Sequence, residues 1–320
     1  MHAGIDLGGT KVQVVVVDDD HEVHGQARHP TPTEGGPEDV VAEVAACVRE
    51  AAEQAGVETG ELQGIGMGSP GAVDDRAGTV TSARNLPGWA GTFNVREVLE
   101  RELGAPLALG NDVQVAVDAE FELGAAKPYS SLLGVFWGTG VGGGIVLDGK
   151  PWVGRRAAGE IGHVCVKIGG ARCGCGREGC MEAYAGRAML EARARRRHEK
   201  GEKTRLFKIM EERNRPRLTS GVWNRALGAG DKLAQELIDE AVEALGAGVA
   251  SALNVLDVEA VVIGGGLGLK LGEPYVEKIR AAIMPHLFTS DDPPAIMLAA
   301  LGDLGGAQGA ALLASRHVRA

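Results

Sequence analysis

The chain has 320 residues, which favours two lobes over one, and its 44% hydrophobic and 24% charged content is that of a globular protein with a sizeable core. Acidic residues number 43 against 33 basic ones, a formal net charge of −10 that argues against a nucleic-acid-binding surface. No stretch of about 18 consecutive apolar residues occurs, and the Met-His-Ala-Gly start lacks a charged n-region; a membrane span and a secretory leader are therefore not expected, and the cytoplasm is.

In chain order, Ala3 to Asp6 reads as a short apolar strand and Val12 to Val17 as a β-branched strand closed by Asp18-Asp19-Asp20. Pro37 to Ala55 follows as a helix, with Pro near its start, Gly56 past its end, and Val40, Val44, Cys47 and Val48 on one face. Leu62 to Met67 is a strand, Asn94 to Leu103 a helix stopped by Gly104, and Leu107 to Leu109 a strand leading into Asn111-Asp112 and the helix Val113 to Leu123. After Pro128 the cycle restarts. Leu132 to Trp137 is a strand ending in Gly-Thr-Gly, and Gly144 to Leu147 a second strand closed by Asp148-Gly149. This weak internal repeat predicts a duplicated α/β lobe. The later part is helical: Leu233, Leu237, Ala241, Leu245, Val249 and Leu253 form one sustained stripe from Asp231 to Leu256. Ala260 to Ile263 is a buried strand entering Gly264-Gly265-Gly266, and a helix from about Leu304 to Ser315 closes the chain. The basic run from Arg193 to Arg205 reads as a solvated helix face and loop.

The glycines, 49 in all, cluster at loops. Three glycine-rich loops follow strands: Gly8-Gly9-Thr10, Gly138-Thr139-Gly140 and Gly264-Gly265-Gly266. Glycines let backbone N–H groups approach phosphate, and Thr hydroxyls add donors. The P-loop pattern is absent. Gly138, Gly140 and Gly143 satisfy Gly-x-Gly-x-x-Gly, but that dinucleotide fingerprint must open a helix, and here it runs into the strand Ile145-Val146-Leu147. A nicotinamide enzyme is therefore excluded.

Four of the five cysteines lie between Cys165 and Cys180. His163, Cys173, Cys175 and Cys180 are spaced His-x9-Cys-x-Cys-x4-Cys, and three thiolates with one imidazole suit tetrahedral Zn²⁺. Four protein ligands leave no position for a metal-bound water, so the site reads as structural. Cys165 is read as a packed thiol and Cys47 as core. Asn111 and Asp112 admit two readings, a helix N-cap or a carboxylate presented at a strand end.

Asp6-Leu-Gly-Gly-Thr-Lys11, Asn111-Asp112, Gly138-Thr-Gly140, Gly159-Glu-Ile-Gly-His163 and Cys173-Gly-Cys-Gly-x-x-Gly-Cys-Met-Glu182 together resemble the ROK family of sugar kinases and repressors. The resemblance covers nearly the whole chain, and its zinc segment is specific. It implies an actin-like (ribonuclease H-like) α/β fold of two lobes with a cleft between them. The small lobe would span residues 1–112, with a closing helix at about 304–320 packed back on it, and the larger lobe 113–303, with the zinc loop at 163–180. It also implies ATP and Mg²⁺ as cofactors, with Asp6 near the metal and Gly8, Gly9, Thr10 and Lys11 around the transferred phosphoryl group. Asp112 resembles the family's general base, and Asn85, Asn111, Asp112, Glu160, His163 and Glu182 its sugar-binding positions. His163 would then serve twice, one ring nitrogen on zinc and the other on a sugar oxygen. Glucose is the expected hexose, because Ala158 to His163 and Asn85-Leu-Pro-Gly-Trp89 are most similar to ROK glucokinases. Relatives that phosphorylate N-acetylated or other hexoses, or accept polyphosphate, keep the substrate open. Repressors of the family carry an N-terminal DNA-binding module, for which a first strand entered by Ala3 leaves no room. A homodimer is implied.

Overall fold

The computed structural model describes residues 1–320 except Arg84, Arg156, Ser290 and Ala320. The chain divides into two compact units: Met1–Lys127 with Val153–Ala158 and Ala300–Ala320, and Pro128–Trp152 with Gly159–Ala299.

In the first unit β1 (His2–Leu7) and β2 (Lys11–Val17) form an antiparallel hairpin, and β3 (Val23–Pro30) adds to the outside of β2. The helix α1 (Pro37–Gln54) leads to β4 (Gly64–Ser69). A small three-stranded sheet follows, β5 (Ala72–Asp74), β6 (Thr79–Thr81) and β7 (Thr92–Asn94). Then come α2 (Val95–Leu103), β8 (Leu107–Asn111) and α3 (Asp112–Glu122). The main sheet has the order β3-β2-β1-β4-β8, with β1, β4 and β8 parallel. Asn94 caps α2 by accepting from the Glu97 amide, and Gly104 ends it at φ +73°, a left-handed backbone that favours glycine.

The second unit repeats this plan. Its strands are β9 (Leu132–Trp137), β10 (Val141–Leu147) and β11 (Lys150–Pro151). Five helices follow: α4 (Met181–Ala185), α5 (Arg187–Glu199), α6 (Leu206–Glu212), α7 (Ser220–Gly228) and α8 (Lys232–Leu256). The unit ends with β12 (Ala260–Gly264), α9 (Gly265–Leu271), α10 (Glu273–Ile283) and β13 (Ala295–Leu298). The sheet order β11-β10-β9-β12-β13 matches the first sheet position by position: an antiparallel hairpin, an outer antiparallel strand, and two parallel additions. The repeat legible at the two hairpins is thus a repeat of the whole sheet. All six apolar residues of the α8 stripe are buried.

Helix α11 (Gly305–Arg319) returns to the first unit and lies on β1, β4 and α3. It can do so because both sides of the contact lack bulk. A Cβ on Gly4 would stand 2.0 Å from the Ala307 carbonyl oxygen, and one on Gly66 1.8 Å from that of Ala310. Coverage on both faces explains the unbroken valine run of β2. Val12, Val14 and Val16 join the core that includes α1, while Val15 and Val17 join Ala307 and Ala311.

Several elements differ from the sequence reading. Strand β10 begins at Val141, because three consecutive glycines hid a strand whose backbone pairs with Trp137 through Gly134. Strand β3 has no strand signal in the sequence, because its outer-edge position lets polar side chains alternate along it. The small sheet, β13 and the helices α9 and α10 are further elements beyond the sequence expectation. Cys165 is exposed rather than packed, since it stands on the rim of the cysteine loop, bridged to Cys180 only through backbone. Cys47 is buried, its thiol donating to the Val12 carbonyl, and burial pushes the thiol up to about 12. Among the described residues no helix is long and apolar enough to cross a membrane.

Candidate functional site

In the first unit the candidate residues gather at the carboxyl ends of the parallel strands. Asp6 of β1 pairs in register with Gly68 of β4, and Gly68 with Gly110 of β8, so Asp6 and Asn111-Asp112 stand at the same end of one sheet. Such strand ends are the usual ligand-binding edge of an open α/β sheet. Gly68 is glycine because a Cβ there would press on Val115, at 2.6 Å, and on the Cα of Asp112, at 3.3 Å.

Asn111 and Asp112 divide the two roles between them. The Asn111 side chain accepts from the amides of Val113 and Gln114, both at 3.1 Å, and is the N-cap of α3. Asp112 is the first residue of the helix, its Oδ1 accepting from the Val113 amide at 3.0 Å, and it is half-buried. A carboxylate in a first helical turn also sits at the favourable end of the helix dipole.

Burial raises the pKa of the Asp6 carboxyl from its ordinary value; Lys11 opposes the shift and Asp303 adds to it. Among the described residues no hydrogen bond reaches this carboxylate. Gly306, in the first turn of α11, leaves it room, since a Cβ there would be 2.8 Å from its carboxyl carbon. Gly8, Gly9 and Thr10 form the β1–β2 turn, closed by the Gly8 amide on the Lys11 carbonyl at 2.9 Å. Thr31, which the sequence did not single out, holds that turn by donating its hydroxyl to the Gly8 carbonyl at 2.6 Å. Gly9 backs onto Asn85, whose carbonyl oxygen would lie 2.8 Å from a Cβ. Asn85 itself is exposed, on a loop anchored by buried Trp89, whose indole donates to the Val80 carbonyl. The Lys11 ammonium turns to Asp303, at 4.0 Å.

Strand β8 lies at the edge of its sheet, and side chains stand where a further strand would. The Leu107 amide donates to Glu100 and the Leu107 carbonyl accepts from Arg96, both at 2.8 Å. The Leu109 amide donates to Asp75 at 2.8 Å, and Asp75 in turn accepts from Arg96 at 2.6 Å. These groups close the strand that ends at Asn111 and leads into Asp112. The only sequence signal was the i,i+4 pair Arg96 and Glu100 on α2.

In the second unit the Gly138-Thr139-Gly140 turn sits against the start of α5, accepting from the amides of Arg187 and Ala188. The Arg187 guanidinium donates to the Thr139 hydroxyl at 2.8 Å, and burial lowers its pKa. Steric contacts account for the misleading glycine fingerprint. A Cβ on Gly140 would lie 2.2 Å from Glu182 Oε2, and one on Gly143 2.7 Å from the Gly159 carbonyl oxygen. Gly264, Gly265 and Gly266 form the turn from β12 into α9; Gly265, at φ +78°, would place a Cβ 2.6 Å from the Trp137 backbone.

His163, Cys173, Cys175 and Cys180 come together, with their ligand atoms all within 4.8 Å of one another. A tetrahedral Zn²⁺ with Zn–S of about 2.3 Å and Zn–N of about 2.0 Å requires donor separations of about 3.5–3.8 Å. Cys175 and Cys180 sulfurs are 3.8 Å apart, as are Cys173 Sγ and His163 Nδ1. The donor set and its spacing fit the ion. Burial pushes the Cys173 thiol up to about 12, while a hydrogen bond from Arg177 draws Cys175 down to about 6. Left-handed Gly176 (φ +91°) and Gly179 (φ +79°) turn the loop, and Tyr184 pins it by accepting from the Ala171 amide at 2.7 Å. With Nδ1 toward the thiols, His163 Nε2 faces Glu160, at 3.9 Å. Glu182, the second residue of α4 and two beyond Cys180, accepts from the Val141 amide at 2.9 Å and stands 3.6 Å from Cys173 Sγ. Glu160, His163 and Glu182 are thus tied to one loop.

The ROK family profile matches residues 2–317. A glucokinase of Thermotoga maritima is 32% identical over 207 residues, 64% of this chain, and the match spans 63% of that enzyme, less than two thirds of its length. The N-acetylgalactosamine kinase AgaK of Shewanella sp. is 32% identical over 98% of this chain and 96% of its own. Among solved structures, a ROK glucokinase from Streptomyces griseus, in complex with glucose and AMPPNP, aligns with a TM-score of 0.84 and 30% identity over 98% of this chain and 99% of its own. The fold is accordingly the actin-like, ribonuclease H-like α/β fold.

Proposed function

Since the chain belongs to the ROK family, we propose that it is an ATP-dependent sugar kinase that phosphorylates a hexose, with glucose as the preferred acceptor. The observation that carries this reading is the placement of Asp6 and Asp112 at the same carboxyl edge of the first sheet, with a glycine-threonine turn following Asp6. A phosphoryl-transfer site needs a carboxylate that accepts the acceptor hydroxyl's proton and another that neutralises charge on the phosphates through a cation.

Asp112 takes the proton as the hexose oxygen bonds to the γ-phosphorus and the bond to the β,γ-bridging oxygen breaks. Its Oδ1 is held by the Val113 amide, which fixes the side-chain rotamer. Asp6 would hold Mg²⁺, which when bound offsets charge on the phosphate oxygens. The Gly8–Thr10, Gly138–Gly140 and Gly264–Gly266 turns would present amides and hydroxyls to the nucleotide. His163 Nδ1, Cys173, Cys175 and Cys180 would hold Zn²⁺, which supplies rigidity to the loop and no open coordination position. His163 Nε2, Glu160, Glu182, Asn85 and Asn111 would bind sugar hydroxyls. An N-acetylhexosamine acceptor is the second reading, favoured by the N-acetylgalactosamine kinase that matches nearly end to end.

The test is ADP release across a panel of hexoses and N-acetylhexosamines. Glucose should turn over fastest, and Asp112→Asn should lower kcat by about 10²–10⁴-fold, since Asn keeps an acceptor for the Val113 amide. Near-normal turnover by a folded Asp112→Asn protein removes Asp112 as the base. Turnover confined to an N-acetylhexosamine replaces glucose as the acceptor.

A further inference from the structure

One thiol of the cysteine loop stands outside the metal cluster. His163, Cys173, Cys175 and Cys180 already supply the four donors that Zn²⁺ takes, and Cys165 is not among them. Cys173 and Cys180 are buried and Cys175 is half-buried, while Cys165 is exposed.

Cys165 nevertheless faces one of the metal-ligating residues. It pairs antiparallel with Cys180 across the short ladder that closes the loop. The hydrogen bonds of that ladder flank the pair: the Val166 amide donates to the Gly179 carbonyl at 2.8 Å, and the Met181 amide to the Val164 carbonyl at 2.9 Å. Cys165 and Cys180 are therefore opposed in the non-hydrogen-bonded register, where Cα atoms approach to about 4.5 Å and both side chains leave the ladder on the same face. A disulfide spans Cα separations of about 4.4–6.8 Å. The Cys165 sulfur is also turned across the ladder, since it lies 3.1 Å from the position of a Cβ on Gly179, the residue before Cys180. Glycine at 179 leaves that space open.

We propose that Cys165 and Cys180 are a redox pair, which a hydroperoxide converts to a disulfide with release of Zn²⁺ from the loop. The inference rests on the zinc reading of the cluster. The exposed thiol is the one that a dissolved oxidant reaches. An oxygen passes from the peroxide to the Cys165 sulfur: the O–O bond breaks, an S–O bond forms, the sulfur gives up two electrons, and water leaves. The Cys180 thiolate then attacks that sulfur with the electron pair it had given the metal. The S–S bond forms, the S–O bond breaks, and hydroxide departs to take up a proton as water. Only His163, Cys173 and Cys175 are left as donors, and the ion is held more weakly. His163 Nδ1 loses its fixed position beside Cys173, and the start of α4, on which Glu182 lies, loses its tie to the metal.

Peroxide treatment of the zinc-loaded full chain tests this, with released zinc read by a chromophoric indicator and disulfides mapped by mass spectrometry of an unreduced digest. About one zinc per chain should appear together with a Cys165–Cys180 cross-link. Dithiothreitol with added Zn²⁺ should restore the starting state. Cys165→Ser, a change at an exposed position outside the metal ligands, should keep its zinc and slow peroxide-driven release by about tenfold or more. Equally fast release from Cys165→Ser overturns the inference. So does a disulfide confined to Cys173, Cys175 and Cys180, Cys165 joined to a second chain, or Cys165 carried to the sulfinic acid with zinc retained. A chain that binds no zinc refutes the metal reading, and the disulfide map alone then decides the pair. Cross-linking and zinc release with an unchanged KM for the hexose refute the sugar-site placement of Glu160, His163 and Glu182 and leave the redox pair standing.

Discussion

The side chains that close the edge of β8 make a quantitative prediction about a residue outside the substrate groups. Asp75 accepts both the Leu109 amide, at 2.8 Å, and Arg96, at 2.6 Å. Asp75→Ala removes the acceptor of a strand amide, a loss of about 1–3 kcal/mol where the donor is cut off from water. The Asp75 side chain is 41% exposed, so water reaches the vacated position and the lower end applies, about 1 kcal/mol. That lowers the melting temperature by about 2–4 °C. The functional effect should be larger. Leu109 is two residues from Asn111, the cap of the helix on which Asp112 is first, and a displacement of about 1 Å at a reacting group costs on the order of 10²-fold. Thermal unfolding and steady-state kinetics should therefore show a small stability loss beside a 10–100-fold fall in kcat, with KM for ATP little changed. Asp75→Asn keeps an acceptor for Leu109 and should recover most of kcat. Wild-type kcat in the Ala variant, or an Asn variant as impaired as Ala, would refute the argument.

Elemental analysis should find about one zinc per chain, falling on Cys173→Ser; chelation should raise KM for the hexose more than for ATP, and equal losses would point to unfolding of the whole unit. Asp118 is buried, and burial pushes its carboxyl up from 3.8 to about 6. The folded state therefore binds this proton more tightly than the unfolded chain does. Its ionisation is a stability cost that is fully present above about pH 6 and disappears as pH falls toward 3.8. The shift of about 2 units, which already contains the opposing pull of Gln114 and of Arg316 at 3.7 Å, corresponds to about 3 kcal/mol. Asp118→Asn should thus be more stable than the wild type at pH 8 by about 1–3 kcal/mol, with the difference shrinking at pH 5 in urea unfolding. Gly140→Ala places a Cβ 2.2 Å from Glu182 Oε2 and must drive that carboxylate off the Val141 amide; KM for the hexose should rise at least several-fold in steady-state assays, and an unchanged KM would remove Glu182 from the sugar site.

The features legible in the sequence are those written in local spacing. The hairpin glycines, the α8 stripe, the cap-or-carboxylate pair Asn111-Asp112 and the His-Cys-Cys-Cys spacing each lie within a short stretch, where turn chemistry, helical period and ligand type constrain the outcome. The loop from His163 to Cys180 is the clearest case, because one segment supplies all four donors and the left-handed glycines that bring them together.

The rest depended on partners distant in sequence. No pattern around Asp75 announces that it will accept from Leu109, 34 residues away. Nor does the sequence separate Arg193, Arg195 and Arg197, which meet carboxylates, from Arg196, Lys200, Lys203 and Arg205 of the same run, which have no ion pair among the described residues. By residue type the two groups are alike. What distinguishes them is which surfaces the packing of α5 and α8 sets against them, and a side chain's charge partner is decided by that packing rather than by its neighbours in the chain.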